Sequence, residues 1–220
     1  MSIFDQEAKN PVSTETPSAG SHPAVLIAIL DCGSHEEEFD DEKTKTKVKK
    51  MVRKVYLLWE LTTEKMSGMN RNHVLGRDYT LSWHKKAGLR KMVEAWRGRA
   101  FNEGEKFTIT KLLGVPCLLT VKHTTSGENV YAKIEGVSQL PKGMTAAKPS
   151  YPLIAWEIDD GKPFPNDLHL PWRYGRPLVK WLEESPEWKA KTSAAPAAPP
   201  AAAPEPEPAM AGAGADEAPF

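Results

Sequence analysis

Residues 73–98 read HVLGRDYTLSWHKKAGLRKMVEAWRG, and their period changes part-way along. Up to Ser82 the β-branched and aromatic content predicts a strand, with Gly76 as a bulge. Beyond it Leu89, Met92, Val93 and Trp96 fall at i, i+3, i+4 and i+7, the apolar stripe of a helix. Lys85, Lys86, Arg90, Lys91 and Arg97 surround that stripe, and Gly98 is placed to end the helix by entering the left-handed conformation. A strand that runs into a single amphipathic helix sets the centre of the fold, and the flanks can be read against it.

Upstream, Ala24–Asp31 (AVLIAILD) is a short apolar run suited to a buried strand, and the acids of residues 36–42 (EEEFDDE) read as a solvated loop. Lys49–Leu61 alternates, with Val55, Leu57, Trp59 and Leu61 on one face and Lys54, Tyr56, Leu58 and Glu60 on the other. Downstream, Pro116 opens a fourth strand, CLLTVKHT, joined through Ser126-Gly127-Glu128 to a fifth, NVYAKIEGVSQL. In that fifth strand Val130, Ala132 and Ile134 lie opposite Tyr131 and Lys133.

Five strands with one helix between the third and fourth is the element order of the OB-fold. The expected class is therefore mainly β: a five-stranded OB-like barrel over residues 22–140. Residues 1–21 lack apolar periodicity and read as a disordered leader. Residues 141–191 carry Tyr151, Leu153, Trp156, Phe164, Leu168, Leu170 and Trp172 without regular spacing, which predicts an irregular strap on the barrel with a short helix over Arg176–Lys189. Residues 192–220 are Ala/Pro-rich and predict an extended tether.

The formal net charge is zero, but the charge is segregated. Asp31–Glu42 holds seven acids and no base, and between Lys43 and Lys133 there are 20 Lys and Arg against 7 Asp and Glu. A basic middle with aromatic interleaving is the electrostatic footprint of a nucleic-acid binder, since each cation near a phosphate releases condensed counterions. Lys47, Lys49, Lys50, Arg53 and Lys54 crowd the start of the second strand, and Lys122 and Lys133 extend the basic surface. Strand parity turns Tyr56 and Tyr131 outward, where a ring can stack on an unpaired base. Arg77, Tyr79 and Trp83 complete the expected contact set, while Trp59 and Trp96 lie on apolar faces and read as core.

Catalysis finds little support. Adjacent acids in one segment are not the spaced, convergent ligands of a metal site, and Cys32 with His35 and His22 is an incomplete zinc set. There is no Gly-rich phosphate loop and no G-x-S-x-G, so neither a catalytic residue nor a metal or cofactor is expected. Two cysteines, Cys32 and Cys117, give no disulfide framework, and no apolar run reaches the roughly 18 to 20 residues of a membrane span.

The chain ends in Asp216-Glu217-Ala218-Pro219-Phe220, an aromatic anchor with a free carboxylate and two acids, suited to capture by a basic-rimmed apolar pocket. This tip, ADEAPF, resembles that of bacterial single-stranded DNA-binding proteins. The stretches YTLSWHKKAGLRKMVEAWRGRAF, LLGVPCLLTVKH and YAKIEGVSQLPKGM are similar to a family of phage single-stranded DNA-binding proteins, so the resemblance covers residues 22–145 and the last six. It implies an OB-fold, location in the cytoplasm of a host cell, coating of exposed DNA strands, and recruitment of replication or recombination proteins through Asp216, Glu217, Pro219 and Phe220. Ala215 and Ala218 make this tip less acidic than the bacterial one, which implies weaker or shifted docking. RNA offers the same phosphates and bases and differs by its 2′-hydroxyl. The barrel edges also leave room for a homo-oligomer, and the rival expectation is a protein-interaction adaptor whose basic face serves an acidic partner segment.

Overall fold

The computed structural model describes residues 15–40, 46–68, 70–126, 129–165 and 177–193. Among the described residues nine strands and α-helices order the chain: β1 (Gly20–Asp40), β2 (Lys47–Lys65), β3 (Asn72–Thr80), α1 (Gly88–Arg97), β4 (Pro116–Ser126), β5 (Asn129–Ser138), β6 (Ile154–Trp156), α2 (Leu178–Glu183) and α3 (Pro186–Ser193). The residues at helical spacing, Leu89, Met92, Val93 and Trp96, are the buried residues of α1, and Gly98 closes the helix at φ 68°.

The expected barrel is not formed. The hydrogen-bonded order is β3-β2-β1-β4-β5 with β6 added parallel to β1, so β3 and β5 are two separate edges of an open sheet. Closure would need a ladder between those edges. Instead α1 lies against both β3 and β5, and its four apolar side chains fill the concave side together with Leu57, Trp59, Leu119 and Val137. Across the gap a side chain reaches over: Arg77 Nη1 donates to the Ile134 carbonyl (3.0 Å). β3, with 9 residues beside the 19 of β2, also offers little length to zip.

Three local expectations change with it. The acidic stretch is strand rather than loop as far as Asp40, because β1 pairs with β2 over its whole second half, from Ser34 opposite Arg53 to Asp40 opposite Lys47. Gly76 is no bulge, since β2 and β3 stay in register from Lys54–Thr80 to Glu60–Val74. A Cβ on Gly76 would lie 2.2 Å from the Tyr56 ring, so this glycine makes room for a cross-strand aromatic. Finally, the single expected C-terminal helix is two: Ser185 separates α2 from α3, and Pro186 opens the second, where a missing N–H costs nothing.

Both faces of the central strands are apolar, and a sheet of that kind needs cover on both sides. One face meets α1. The other, carrying Ile27, Ala28, Leu30, Tyr56 and Leu58, is covered by Tyr151, Trp156, Ile158, Phe164, Leu178, Trp181 and Leu182. Two carboxylates fasten this cover. Glu60, fully buried, accepts from Asn72 Nδ2 (2.7 Å), Ser150 Oγ (2.7 Å), Ser150 N–H (3.0 Å) and Tyr151 N–H (3.2 Å). Glu187 of α3 accepts from Ser34 N–H (2.8 Å) and Ser34 Oγ (2.5 Å) at a register shift of β1. There Gly33 takes φ +71°, and a Cβ would meet Ser185 Oγ at 2.4 Å.

Candidate nucleic-acid interface

The basic residues at the start of β2 are largely consumed by β1. Register sets the acids of β1 against them: Lys49 Nζ meets Glu36 at 2.7 Å and Lys47 meets Glu38 at 3.4 Å. Glu36 raises the Lys49 pKa above its ordinary value, first through that hydrogen bond and then by its charge. Arg53 donates to both Asp31 oxygens (3.1 and 2.5 Å) and lies 3.9 Å from Asp159. Lys54, expected on the surface, is buried; it is held by Glu37 and donates to Thr80 Oγ1 (3.0 Å), which itself donates to Glu37 (3.0 Å). Lys50 stays exposed, with no ion pair among the described residues.

The aromatic candidates divide as sharply. Tyr56 is not outward-facing: it is buried against the strap, because both parities of β2 are core. Tyr79 is buried on the α1 side, where desolvation pushes its hydroxyl up to about 12. Trp83 is half-buried in a triad with Phe101 (5.5 Å) and Phe107 (5.6 Å), over which the Arg97 guanidinium sits at 4.4 Å from the Phe101 ring. Arg97 and Arg99 converge on Glu105, whose carboxyl is held down to about 2 by the Arg99 hydrogen bond first, then by Asn102 N–H and Arg97. That corner is a packed plug rather than a platform.

What remains together is on the β4–β5 pair. Lys122 stands directly opposite Lys133, and Thr124 opposite Tyr131, so all four share one face, turned away from the core side chains Leu119, Val121 and Ile134. Tyr131 is 48% exposed. Lys122 reaches Glu135 at 3.6 Å, with both side chains more than half exposed, whereas Lys133 makes no ion pair among the described residues. Arg77 on the facing edge, also exposed, bridges to the β5 carbonyl next to Lys133. Sequence reasoning missed Thr124 and Glu135, although the alternation that placed Tyr131 and Lys133 outward also turns Glu135 outward.

Of the twelve nucleic-acid contacts expected, the structure thus groups Lys122, Tyr131 and Lys133 on one face, whereas Arg77, at the parity of Leu75 and Tyr79, stands on the α1 side of the sheet. Asp216, Glu217, Pro219 and Phe220 lie outside the described residues. Among the described residues no group of His, Cys, Asp and Glu is arranged to hold a metal ion, and no helix is long and apolar enough to cross a membrane. Burial pushes the Cys117 thiol well above its ordinary pKa, away from nucleophilic use. The chain matches no protein-family model and no curated protein.

Proposed function

We propose that this protein binds single-stranded DNA on the outward face of the β4–β5 pair, with Lys122 and Lys133 on phosphates and Tyr131 stacking on a base. The observation that carries the reading is the placement of Lys122 directly opposite Lys133 beside a half-exposed tyrosine. Like charges set opposite one another on a strand pair repel, and the arrangement gains when an anion lies between them. A ring beside that anion site is what a base on a flexible backbone needs, and stacking without edge readout gives little sequence preference. A duplex keeps its bases paired and denies Tyr131 a partner. The C-terminal tip is proposed to recruit replication or recombination proteins, as its resemblance implies.

The test is fluorescence anisotropy of a labelled single strand titrated with the full chain at two salt concentrations, with duplex as competitor. Binding that prefers the single strand and weakens with salt, at a log–log slope of about −0.7 per phosphate neutralised, is expected. The double reversal Lys122→Glu with Lys133→Glu should lower affinity about tenfold or more and flatten that slope by about 1.4. Wild-type protein that ignores single strands at low salt, or a double variant that binds undiminished, would overturn the proposal.

A further inference from the structure

Beyond Arg53 and Ser34, β1 and β2 continue as a two-stranded arm that no other strand joins among the described residues: β3 pairs with β2 only from Lys54 onward, and β4 and β6 pair with β1 only up to Leu30. The direction of its backbone groups follows from two hydrogen bonds at its base. Leu81 N–H donates to the Arg53 carbonyl (2.8 Å) on the β3 side, and Ser34 N–H turns away from β2 to Glu187 (2.8 Å). Backbone groups alternate between the two edges of a strand. Those of Glu36, Glu38 and Asp40 therefore point out from one edge of the arm, and those of Lys47, Lys49 and Met51 from the other. One free edge is acidic and the other basic. Among the described residues, nothing pairs with the N–H and C=O groups on either edge, and such groups template a further strand.

We infer that the arm is a self-association surface, in which the acidic β1 edge of one copy pairs with the basic β2 edge of the next. Symmetric pairings are disfavoured by the same charges: β1 on β1 sets Glu36 and Glu38 against their own kind, and β2 on β2 does so with Lys47 and Lys49. Charged edges ordinarily keep strands apart. Here the two edges carry opposite signs, so each repels its like and attracts the other. The ion pairs within the arm do not prevent this. Glu36, Glu38, Lys47 and Lys49 are all more than half exposed, and such pairs exchange partners at little cost. Apolar contact is on offer beside them, with Met51 55% and Phe39 37% exposed. A contact of two different edges is head-to-tail, and it continues into a row or ring rather than stopping at a dimer.

The experiment compares the wild-type full chain with a charge-swapped arm carrying Glu36→Lys, Glu38→Lys, Lys47→Glu and Lys49→Glu, which keeps the pairing inside each arm. Sedimentation over the micromolar to submillimolar range should show wild-type mass climbing past two protomers and falling back with added salt. The swapped arm should assemble with itself as wild type does. Chains reversed on one edge alone, Glu36→Lys with Glu38→Lys or Lys47→Glu with Lys49→Glu, carry one sign on both edges, so every contact sets like charges together and they should stay monomeric by sedimentation. A wild-type protein monomeric throughout, a mass that levels off at two, or one-edge variants that assemble as wild type does would each overturn the proposal. Thermal unfolding of the swapped chain close to wild type confirms that its arm is intact.

Discussion

Lys54 and Tyr56 on β2, and Tyr131 and Lys133 on β5, are the same two residue types two positions apart on alternating strands, and they end in opposite surroundings. The β2 pair is buried: Lys54 is tied to Glu37 and Thr80, and Tyr56 lies over Gly76 beneath the strap. The β5 pair is exposed on an edge strand with nothing laid over that face in the described residues. The difference is one of position in the sheet. A central strand with apolar neighbours on both faces absorbs its polar residues into networks, whereas an edge strand leaves them to solvent and to ligands.

The largest contrast should come from the tyrosines. Tyr56→Ala is expected to cost about 3 to 5 kcal/mol in denaturant unfolding, as large-to-small changes in cores do. Tyr131→Ala should stay within about 0.5 kcal/mol in the same assay, yet weaken single-strand binding by about 1 to 3 kcal/mol, the value of one stacked base. Next comes Gly76→Ala, which pushes a methyl into the Tyr56 ring and should destabilise by about 1 to 3 kcal/mol, with strand affinity per folded molecule unchanged. The lysines sharpen the comparison further. Lys54→Ala should cost about 1 to 3 kcal/mol by leaving its hydrogen-bond partners short. Lys133→Ala should leave unfolding in place and reduce the salt slope of binding by about 0.7.

The smallest effect expected is in acid. Glu105 has its carboxyl held near 2 in the folded state, below its ordinary value of 4.5. A depressed pKa contributes stability that is complete above the unfolded value and is lost as pH falls through the folded one. The contribution of Glu105 should therefore fade between about pH 4.5 and 2. Glu105→Gln should flatten that part of an acid-unfolding curve by lowering stability at neutral pH, where the carboxylate's contribution is complete, and the two proteins should converge near pH 2.

Local pattern made much of this legible. The period change at Ser82 located α1 and its buried face, and the alternation on β5 located Tyr131 and Lys133. What local pattern does not carry is which strands lie side by side. The acids of residues 36–40 look like a loop until register sets them against Lys47 and Lys49, where cross-strand charge pairs hold a polar ribbon together. Tyr56 looks outward until a strap more than ninety residues away in sequence arrives to cover it. The open sheet was hidden for a similar reason, since element order is shared by a closed barrel and by a sheet whose gap is filled by helix side chains.

The fastening of the strap by Glu60 and Glu187 has a consequence for how the chain is made. β1 leaves the ribosome before the other described elements, yet one of its faces is finished by Trp156, Ile158, Leu178 and Leu182, and one of its edges by β4 and β6. Contacts so distant in sequence form late. Until residues 151–164 emerge the β1–β2 hairpin stands with Ile27, Leu30 and Leu58 uncovered, and Leu178, Trp181 and Leu182 of α2 complete the cover. A nascent chain stalled before residue 178 is therefore a natural client for chaperones that hold exposed apolar strands.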